Sequence, residues 1–193
     1  MDKKYAFIDF EMDVNCDSNP EQIISVGLII TNNKGKILRK YKSYSKIINK
    51  KHIYEYTTFI TGIKNSDIVM AKSFKDNIDK IYYLTKDIES IFVWGNKDKK
   101  CVRYTTNLNA KNIKNKYNRF LFNKKSKELQ SKIIDYRECL PKKYRKNIWS
   151  NLYEFAKELN IINKEEIQEH SAIEDAKILS KIYFKTKEGD ING

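Results

Sequence analysis

The 193-residue sequence lacks any apolar run of about 18 residues, the length that a membrane-spanning helix requires. Its N-terminal stretch, MDKKYAFIDFEMD, is interrupted by acidic residues before the apolar core of a signal peptide can form. Cysteine is rare, and Cys16, Cys101 and Cys139 are widely separated and form no paired motif. This usage is typical of reduced thiols and indicates neither a disulfide framework nor a zinc site. Together these absences predict a cytoplasmic protein without a membrane span.

Glycine and proline are scarce, with 6 and 2 residues, and no stretch rich in Gly, Pro or Ser resembles a linker between domains. The sequence contains no internal repeat and no low-complexity segment. The remaining composition is typical of a globular protein, with 40% hydrophobic and 12% aromatic residues, and the length is sufficient for a sizeable core. The sequence therefore predicts one domain over residues 1–193.

Acidic residues are in the minority, because 38 Lys and Arg against 25 Asp and Glu give a net charge of +13. The imbalance is concentrated in residues 97–146, which contain 17 basic and 4 acidic residues. Aromatic side chains are interleaved with these charges, namely Tyr104, Tyr117, Phe120, Phe122, Tyr136 and Tyr144. This combination favours a nucleic-acid partner over a membrane surface. A generally lysine-rich proteome would produce the same charge, so composition alone leaves both interpretations open.

The segment FIDFEMD, residues 7–13, combines the pattern of a buried strand with two carboxylates. Asp9 and Glu11 are two residues apart, so in a strand both side chains project from the same face. Upstream of them both faces are apolar, which predicts a central strand that is covered on both sides. Two like charges held at the end of such a strand repel each other and lose hydration, which favours a cation between them. The alternative is a strand whose end simply enters solvent.

The remaining pattern predicts a mixed sheet. Ser66 and Ser73 are each candidates to begin a helix. The other predicted elements are strands at 23–30 and 36–45, a helix at 74–84, a strand at 88–95, weakly patterned helices at 97–125, a strand at 132–137 and a helix capped by Ser150. A three-strand meander followed by βα units predicts an α/β fold, in which antiparallel and parallel strands form a mixed five-stranded sheet flanked by helices.

The segment EHSAIEDAKILSKIY, residues 169–183, begins with a helix-capping pattern. Ser171 is followed three residues later by Glu174, so Ser171 is predicted to be the N-cap of a helix. Asp175 then falls on the apolar stripe that faces the core, where a carboxylate requires a cation, a metal or several hydrogen-bond donors. His170 precedes the cap, and from that loop its side chain can fold over the helix start. A surface histidine beside a cap is the alternative for His170.

A further carboxylate lies in WGNKD, residues 94–98, which begins at the end of the predicted strand 88–95. Asp98 lies just past this strand, and ligands of open α/β sheets gather at the carboxyl ends of strands. Asp87 and Asp135 compete with it, but Asp87 precedes its strand and Asp135 lies within KIIDYR. Asp98 is therefore the preferred candidate. His52 has no comparable context and is treated as incidental.

The motifs FIDFE, ITGI, WGNKD and HSAIED, in this order and spacing, resemble the DEDDh group of 3′–5′ exonucleases, which have the ribonuclease-H-like fold. The resemblance extends over residues 5–183. Within the group, DFE and WGxxD look most like the short RNA-processing exonucleases and the related bacterial exonuclease-fold regulators of sporulation. The resemblance implies that Asp9, Glu11, Asp98 and Asp175 bind two Mg²⁺ or Mn²⁺ ions and that His170 is the general base.

The same resemblance implies a two-metal 3′→5′ exonuclease that acts on the 3′ ends of single-stranded RNA or DNA and releases nucleoside 5′-monophosphates. Four carboxylates provide the oxygen ligands that such hard cations prefer. Met12 and Ile63 would contact the terminal nucleotide, and the alternative for both is an ordinary core residue. Two other functions stay open: an idle exonuclease fold that binds a protein partner, and a basic nucleic-acid-binding module without catalysis.

Overall fold

The computed structural model describes residues 3–14, 22–163 and 170–191, with side chains through residue 187. Its strands are β1 (Lys4–Asp13), β2 (Gln22–Asn32), β3 (Ile37–Tyr44), β4 (Ile91–Val93) and β5 (Ile133–Asp135). They form one sheet in the order β3-β2-β1-β4-β5. The pairs β1–β2 and β2–β3 are antiparallel, whereas β4 and β5 extend the sheet in parallel. The predicted mixed five-stranded sheet is confirmed.

Helices cover both faces of this sheet. They are α1 (Glu55–Thr61), α2 (Asn65–Val69), α3 (Phe74–Thr85), α4 (Lys97–Asn112), α5 (Lys116–Lys132), α6 (Leu152–Glu158) and α7 (Ala172–Ile191), with 3₁₀ segments at Tyr136–Cys139 and Lys142–Asn147. The weak helical pattern at 97–125 corresponds to α4 and α5. The sequence pattern does not predict α1, which has no side-chain cap at its start.

The helix starts are predicted with mixed success. Ser73 is the N-cap of α3, where its side chain accepts the N–H of Asp76, as predicted. The predicted start at Ser150 is wrong: Asn151 is the N-cap of α6, because its side chain and that of Glu154 form a reciprocal capping box. Ser66 does not begin a helix either, since α2 starts one residue earlier.

Both faces of β1 are buried, as the apolar pattern predicts. Ala6, Ile8 and Phe10 belong to a cluster that includes buried residues of α3, α4 and α5. Phe7 lies on the opposite face, in a cluster that includes Tyr183 of α7 and residues of α6. Because side chains alternate along a strand, the side of Phe7 continues through positions 9 and 11. The two carboxylates of β1 therefore face α6 and α7.

Gly27 allows the first turn of α7 to lie directly on the sheet. It is the partner of Asp9 in the register of β1 and β2. A Cβ atom at this position would lie 2.1 Å from the carbonyl carbon of Ala172, so any larger residue would displace the helix. The helix begins where the capping pattern predicts, and the carbonyl oxygen of Ser171 accepts the N–H of Asp175 at 2.9 Å. This packing brings the start of α7 to the end of β1.

No helix within residues 3–14, 22–163 and 170–191 is both long enough and apolar enough to cross a membrane. Cys101 is a buried free thiol and Cys139 an exposed one. Cys16 lies outside the described residues, so the prediction that it is a reduced thiol stays a prediction.

Candidate active site

The carboxylates of Asp9, Glu11 and Asp175 meet at the C-terminal end of β1. Each side chain provides an oxygen atom that lies within 4.8 Å of the corresponding oxygen atoms of the other two. Asp9 and Glu11 share a face because they are two positions apart in a strand. Asp175 reaches that face from the first turn of α7. The fold thus brings together three of the four acidic residues that the sequence predicts to be metal ligands.

Asp98, the fourth predicted ligand, lies in the first turn of α4 and is 5% exposed. The chain turns sharply between β4 and α4 at Gly95, whose φ of 110° is accessible to glycine without strain. Asp98 is not part of the group of three carboxylates, but its charge raises the pKa of Asp9. It therefore lies within electrostatic reach of the cluster.

Burial is the largest cause of the raised pKa of all four predicted ligands, which are Asp98 and the three carboxylates of the cluster. For Asp9, burial acts together with the charges of Asp98, Asp175 and Glu11 and raises the pKa well above its ordinary value. Burial and the charge of Asp175 raise the pKa of Glu11 to about 7. Burial also raises the pKa of Asp98 to about 7, with a further increase from Glu11 and a partial offset from backbone hydrogen bonds. The charged carboxylates destabilise one another in the absence of a cation.

His170 lies two residues before the start of α7, and its side chain is exposed. Its ring packs edge-to-face against Tyr153 of α6, with 5.6 Å between the ring centroids. Tyr153 in turn donates its hydroxyl hydrogen to Oδ1 of Asp175. Burial raises the pKa of Asp175 to about 6, while this hydrogen bond and the electrostatic interaction with His170 act in the opposite direction. Tyr153 therefore links the predicted general base to a predicted metal ligand.

The residues present fit a divalent cation. The oxygen Oε1 of Glu11 is buried and accepts no hydrogen bond within the described part of the chain. A buried carboxylate oxygen without a partner is costly, and this one lies beside two other carboxylates. Oxygen donors without thiols are the preferred ligands of Mg²⁺ and Mn²⁺. A cation among these groups would satisfy Glu11 and relieve the mutual repulsion.

Asp13, which follows the cluster at the end of β1, has protein partners instead. It is buried, and its Oδ1 accepts the backbone N–H of Tyr54 at 2.9 Å and the hydroxyl of Thr57 at 3.1 Å. Lys50 forms an ion pair with its other oxygen. These contacts attach α1 to the end of β1, and they satisfy this carboxylate without a metal.

The competing acidic residues are also accounted for by the structure. Asp135, at the end of β5, accepts the backbone N–H of Gly95 at 2.9 Å and hydrogen bonds from Nε and Nη2 of Arg137. It stabilises the turn that precedes α4. Asp87 is exposed in the turn after α3, and His52 is exposed in the loop before α1. None of these three residues belongs to the carboxylate group described above.

Met12 and Ile63, the two predicted nucleotide contacts, are buried among apolar side chains. Met12 is 8% exposed and belongs to the same cluster as Ile23. Ile63 is 4% exposed and packs in a smaller cluster with Ile24 and Ile68. Core packing accounts for both positions, and their contact with a nucleotide stays a prediction.

Tyr153 is a site residue that the sequence pattern does not reveal, because its contact depends on how α6 packs against α7. We expect Tyr153→Phe to weaken Mn²⁺ binding roughly 10- to 100-fold, the usual cost of losing a group that orients a metal ligand. Titration calorimetry measures this directly. Tyr82→Phe is the control, since its hydroxyl bonds Glu128 between α3 and α5, away from the cluster. Unchanged Mn²⁺ affinity in Tyr153→Phe would show that the hydroxyl does not position Asp175.

Comparison with protein families finds that the model RNase_T, described as an exonuclease family, matches residues 6–183. No curated protein matches the sequence at a significant level. The family match contains all the acidic residues of the cluster and His170. It covers most of the chain.

Solved structures share the fold. The nuclease domain of 3′hExo, a DEDDh family member bound to rAMP, has a TM-score of 0.75 and 16% identity, with 97% of this chain and 93% of that chain covered. A 3′-exonuclease that recognises the 3′ end of the histone mRNA stem-loop has a TM-score of 0.73 and 16% identity, with coverage of 94% and 62%. The E. coli ExoI–ssDNA complex in its zinc-bound form has a TM-score of 0.64 and 16% identity, with coverage of 97% and 41%. The chain spans less than two thirds of the latter two proteins, and the likeness confirms the ribonuclease-H-like fold.

Proposed function

The chain belongs to the RNase_T exonuclease family, and from this premise we propose that it is a metal-dependent 3′→5′ exonuclease. The family match and the shared fold confirm the predicted relation to DEDDh-type exonucleases. In the proposed reaction the protein removes nucleoside 5′-monophosphates from the 3′ end of single-stranded nucleic acid. The observation that carries the proposal is the unpartnered oxygen of Glu11 among converging carboxylates beside an exposed imidazole.

Asp9, Glu11, Asp98 and Asp175 are proposed to hold two divalent ions, Mg²⁺ or Mn²⁺. Support comes from the convergence of three of them and from pKa values that are raised by burial and mutual repulsion. Two ions held by these residues would supply electrostatic stabilisation for the oxygens of a reacting phosphodiester. Protons must leave the carboxylates before a cation binds, so metal affinity should increase as the pH rises toward 8.

His170 is proposed to accept the proton of the attacking water, because a neutral imidazole is the side chain best suited to this transfer near pH 7. Its exposure leaves it accessible to solvent, to which it can then release the proton. The edge-to-face contact with Tyr153 restricts how the imidazole can tilt. The hydroxyl of Tyr153 also restrains the rotamer of Asp175. One aromatic side chain thus orients both the base and a metal ligand.

Exposed basic residues of α4 are proposed to contact the phosphate backbone. Lys99, Lys100 and Arg103 follow directly after the predicted ligand in this helix. Such contacts make affinity fall as salt rises. Structural neighbours were solved with rAMP and with ssDNA, so both RNA and DNA are proposed as substrates. Met12 and Ile63 are proposed to border the terminal nucleotide.

The test uses matched single-stranded RNA and DNA oligonucleotides with a label at the 5′ end. With Mg²⁺ or Mn²⁺ we expect products that shorten one nucleotide at a time from the 3′ end, together with release of nucleoside 5′-monophosphates. A chelator should stop the reaction, and so should a phosphate on the 3′ hydroxyl. Internal cuts with a blocked 3′ end would indicate an endonuclease, whereas binding without any cleavage would favour the non-catalytic alternatives.

A further inference from the structure

Trp149 is 88% exposed, more than any other large hydrophobic side chain that the structure describes. It lies in the loop between the 3₁₀ segment Lys142–Asn147 and α6. An indole ring is large and mostly apolar, so leaving it in water forgoes a substantial gain from burial. The residue has no role in the metal site described above. The neighbours of Trp149 in the fold indicate which kind of ligand would cover the exposed indole.

The chain on the C-terminal side of Trp149 makes two hydrogen bonds to the part of the fold that contains the carboxylates. The carbonyl oxygen of Ser150 accepts the indole N–H of Trp94 at 3.1 Å, and Trp94 directly follows β4. Four residues after Trp149, the hydroxyl of Tyr153 donates to Asp175. Four residues of extended chain span at most about 14 Å, which limits the distance between the Cα atoms of Trp149 and Tyr153. The loop that carries Trp149 is therefore held at the edge of the sheet where the carboxylates lie.

The residues that precede Trp149 are strongly basic. The 3₁₀ segment contributes four exposed cations, Lys142, Lys143, Arg145 and Lys146. A single aromatic ring beside a group of cations fits a nucleic-acid strand, whose bases stack while its phosphates are neutralised. The core of a protein interface is instead depleted of charge. The chemistry therefore favours a nucleic-acid base over an apolar protein partner.

We propose that Trp149 stacks on a base of the single-stranded substrate, upstream of the nucleotide that is removed. The proposal rests on the proposed exonuclease function, because it assigns a binding subsite to the same strand. The 3₁₀ segment would neutralise the adjacent phosphates. Stacking is tolerant of base identity, so this subsite would add affinity for single strands without selecting a sequence.

Tryptophan fluorescence tests the contact without requiring turnover. The chain has two tryptophans, and Trp94 is stacked on Phe155 with 5.5 Å between ring centroids. In a chelator, titration with oligothymidylate or oligouridylate should quench the emission of the wild-type protein. Trp149→Phe, which retains only the stacked Trp94, should lose most of the quenching. Equal quenching in wild type and Trp149→Phe would overturn the proposal, whether or not the protein proves to be a nuclease.

Affinity and kinetics give the second test. Trp149→Ala should raise the Kd and the KM for an oligonucleotide roughly 5- to 150-fold, the range that loss of one stacked base produces, and Trp149→Phe should recover most of this loss. Hydrolysis of the p-nitrophenyl ester of thymidine 5′-monophosphate should not change, because this substrate has no neighbouring base. A parallel loss for the ester would indicate a general defect and would contradict stacking. If the wild type hydrolyses neither substrate, the exonuclease proposal fails. The Kd and fluorescence results would still decide whether Trp149 stacks on a base.

An abasic unit supplies the matching change in the ligand. An abasic unit is placed at each position that precedes the 3′ nucleotide, one position at a time. At one of these positions it should raise the Kd of the wild-type protein. At that same position it should not raise the Kd of Trp149→Ala. Tyr83→Ala is the control variant, since Tyr83 is 63% exposed but lies near the end of α3, which leads into the start of β4. This is the end of the sheet opposite the carboxylates. If Tyr83→Ala weakened binding as much as Trp149→Ala, the effect would reflect general surface adsorption and the proposal would fail.

Discussion

Asp9→Asn is expected to abolish nuclease activity and, at the same time, to stabilise the metal-free protein. The substitution removes a carboxylate that is proposed to hold the catalytic ions, so the rate should fall by on the order of 10³-fold or more. It also removes a carboxylate whose charged form is destabilised by burial and by the charges of three neighbouring acids. A residue that serves only folding would show the opposite stability change, because its removal destabilises.

The stability gain should depend on pH with a sign that follows from the pKa shifts. Burial raises the pKa of Glu11 and of Asp98 to about 7, so between about pH 4 and pH 7 the folded protein binds more protons than the unfolded chain. This contribution to stability is complete below the unfolded pKa values, and it is lost as the pH rises through the raised folded values. The metal-free wild type should therefore lose stability toward pH 8. Asp9→Asn should lose less, because the raised pKa of Asp9 no longer contributes to this loss.

Thermal unfolding in a chelator measures this difference. Each pKa unit of relieved repulsion corresponds to about 1.4 kcal/mol, or a rise in Tm of about 3–6 °C for a protein of this size. The excess Tm of Asp9→Asn over the wild type should be largest at pH 8 and should vanish near pH 4. Addition of Mn²⁺ at pH 8 should raise the Tm of the wild type more than that of the variant.

Asp79→Asn is the matched control. Lys75 and Lys125 hydrogen-bond the Asp79 carboxylate at 2.7 and 2.6 Å and hold its pKa below the ordinary value despite some burial. Its replacement should lower the Tm near neutral pH and leave nuclease activity intact. If Asp9→Asn destabilised the metal-free protein as Asp79→Asn does, the repulsive carboxylate cluster would be contradicted.

The elements of the site that a local pattern encodes could be predicted from the sequence. Alternation along β1 shows that Asp9 and Glu11 share a face, and the capping pattern at Ser171 shows where α7 begins. The position of Asp98 follows from its place just beyond a strand that is parallel to β1. These predictions depend on residues close together in the chain, and the ribonuclease-H-like fold then brings them to one edge.

Contacts between elements could not be predicted in the same way. The hydroxyl of Tyr153 meets Asp175 only because α6 packs beside α7. The unpartnered state of the Glu11 oxygen depends on every group around it. The wrong prediction at Ser150 has a local cause: two adjacent residues can both cap a helix, and only Asn151 has a glutamate three positions later. Residue type and spacing restrict the candidates, while packing decides among them.

His170→Ala is expected to lower kcat by roughly 10²–10⁴-fold, the range attributed to general-base catalysis, with little change in Mn²⁺ affinity. The imidazole is exposed and its ring contacts Tyr153, so the variant should fold with a Tm close to that of the wild type. The pH–rate profile should lose the limb that reflects deprotonation of the base. Added imidazole should restore part of the rate, since a small base can occupy the space that the side chain leaves.

His52→Ala is the control for this prediction, because His52 is the other of the two histidines and is also exposed. It should leave kcat, metal affinity and the pH–rate profile unchanged. A wild-type profile in His170→Ala would exclude His170 as the base, even if the rate were lower. A large loss of Mn²⁺ affinity would instead indicate that the imidazole acts through Asp175, whose pKa it lowers, and not through the attacking water. Comparing kcat and metal affinity in the two variants therefore separates proton transfer from support of the metal site.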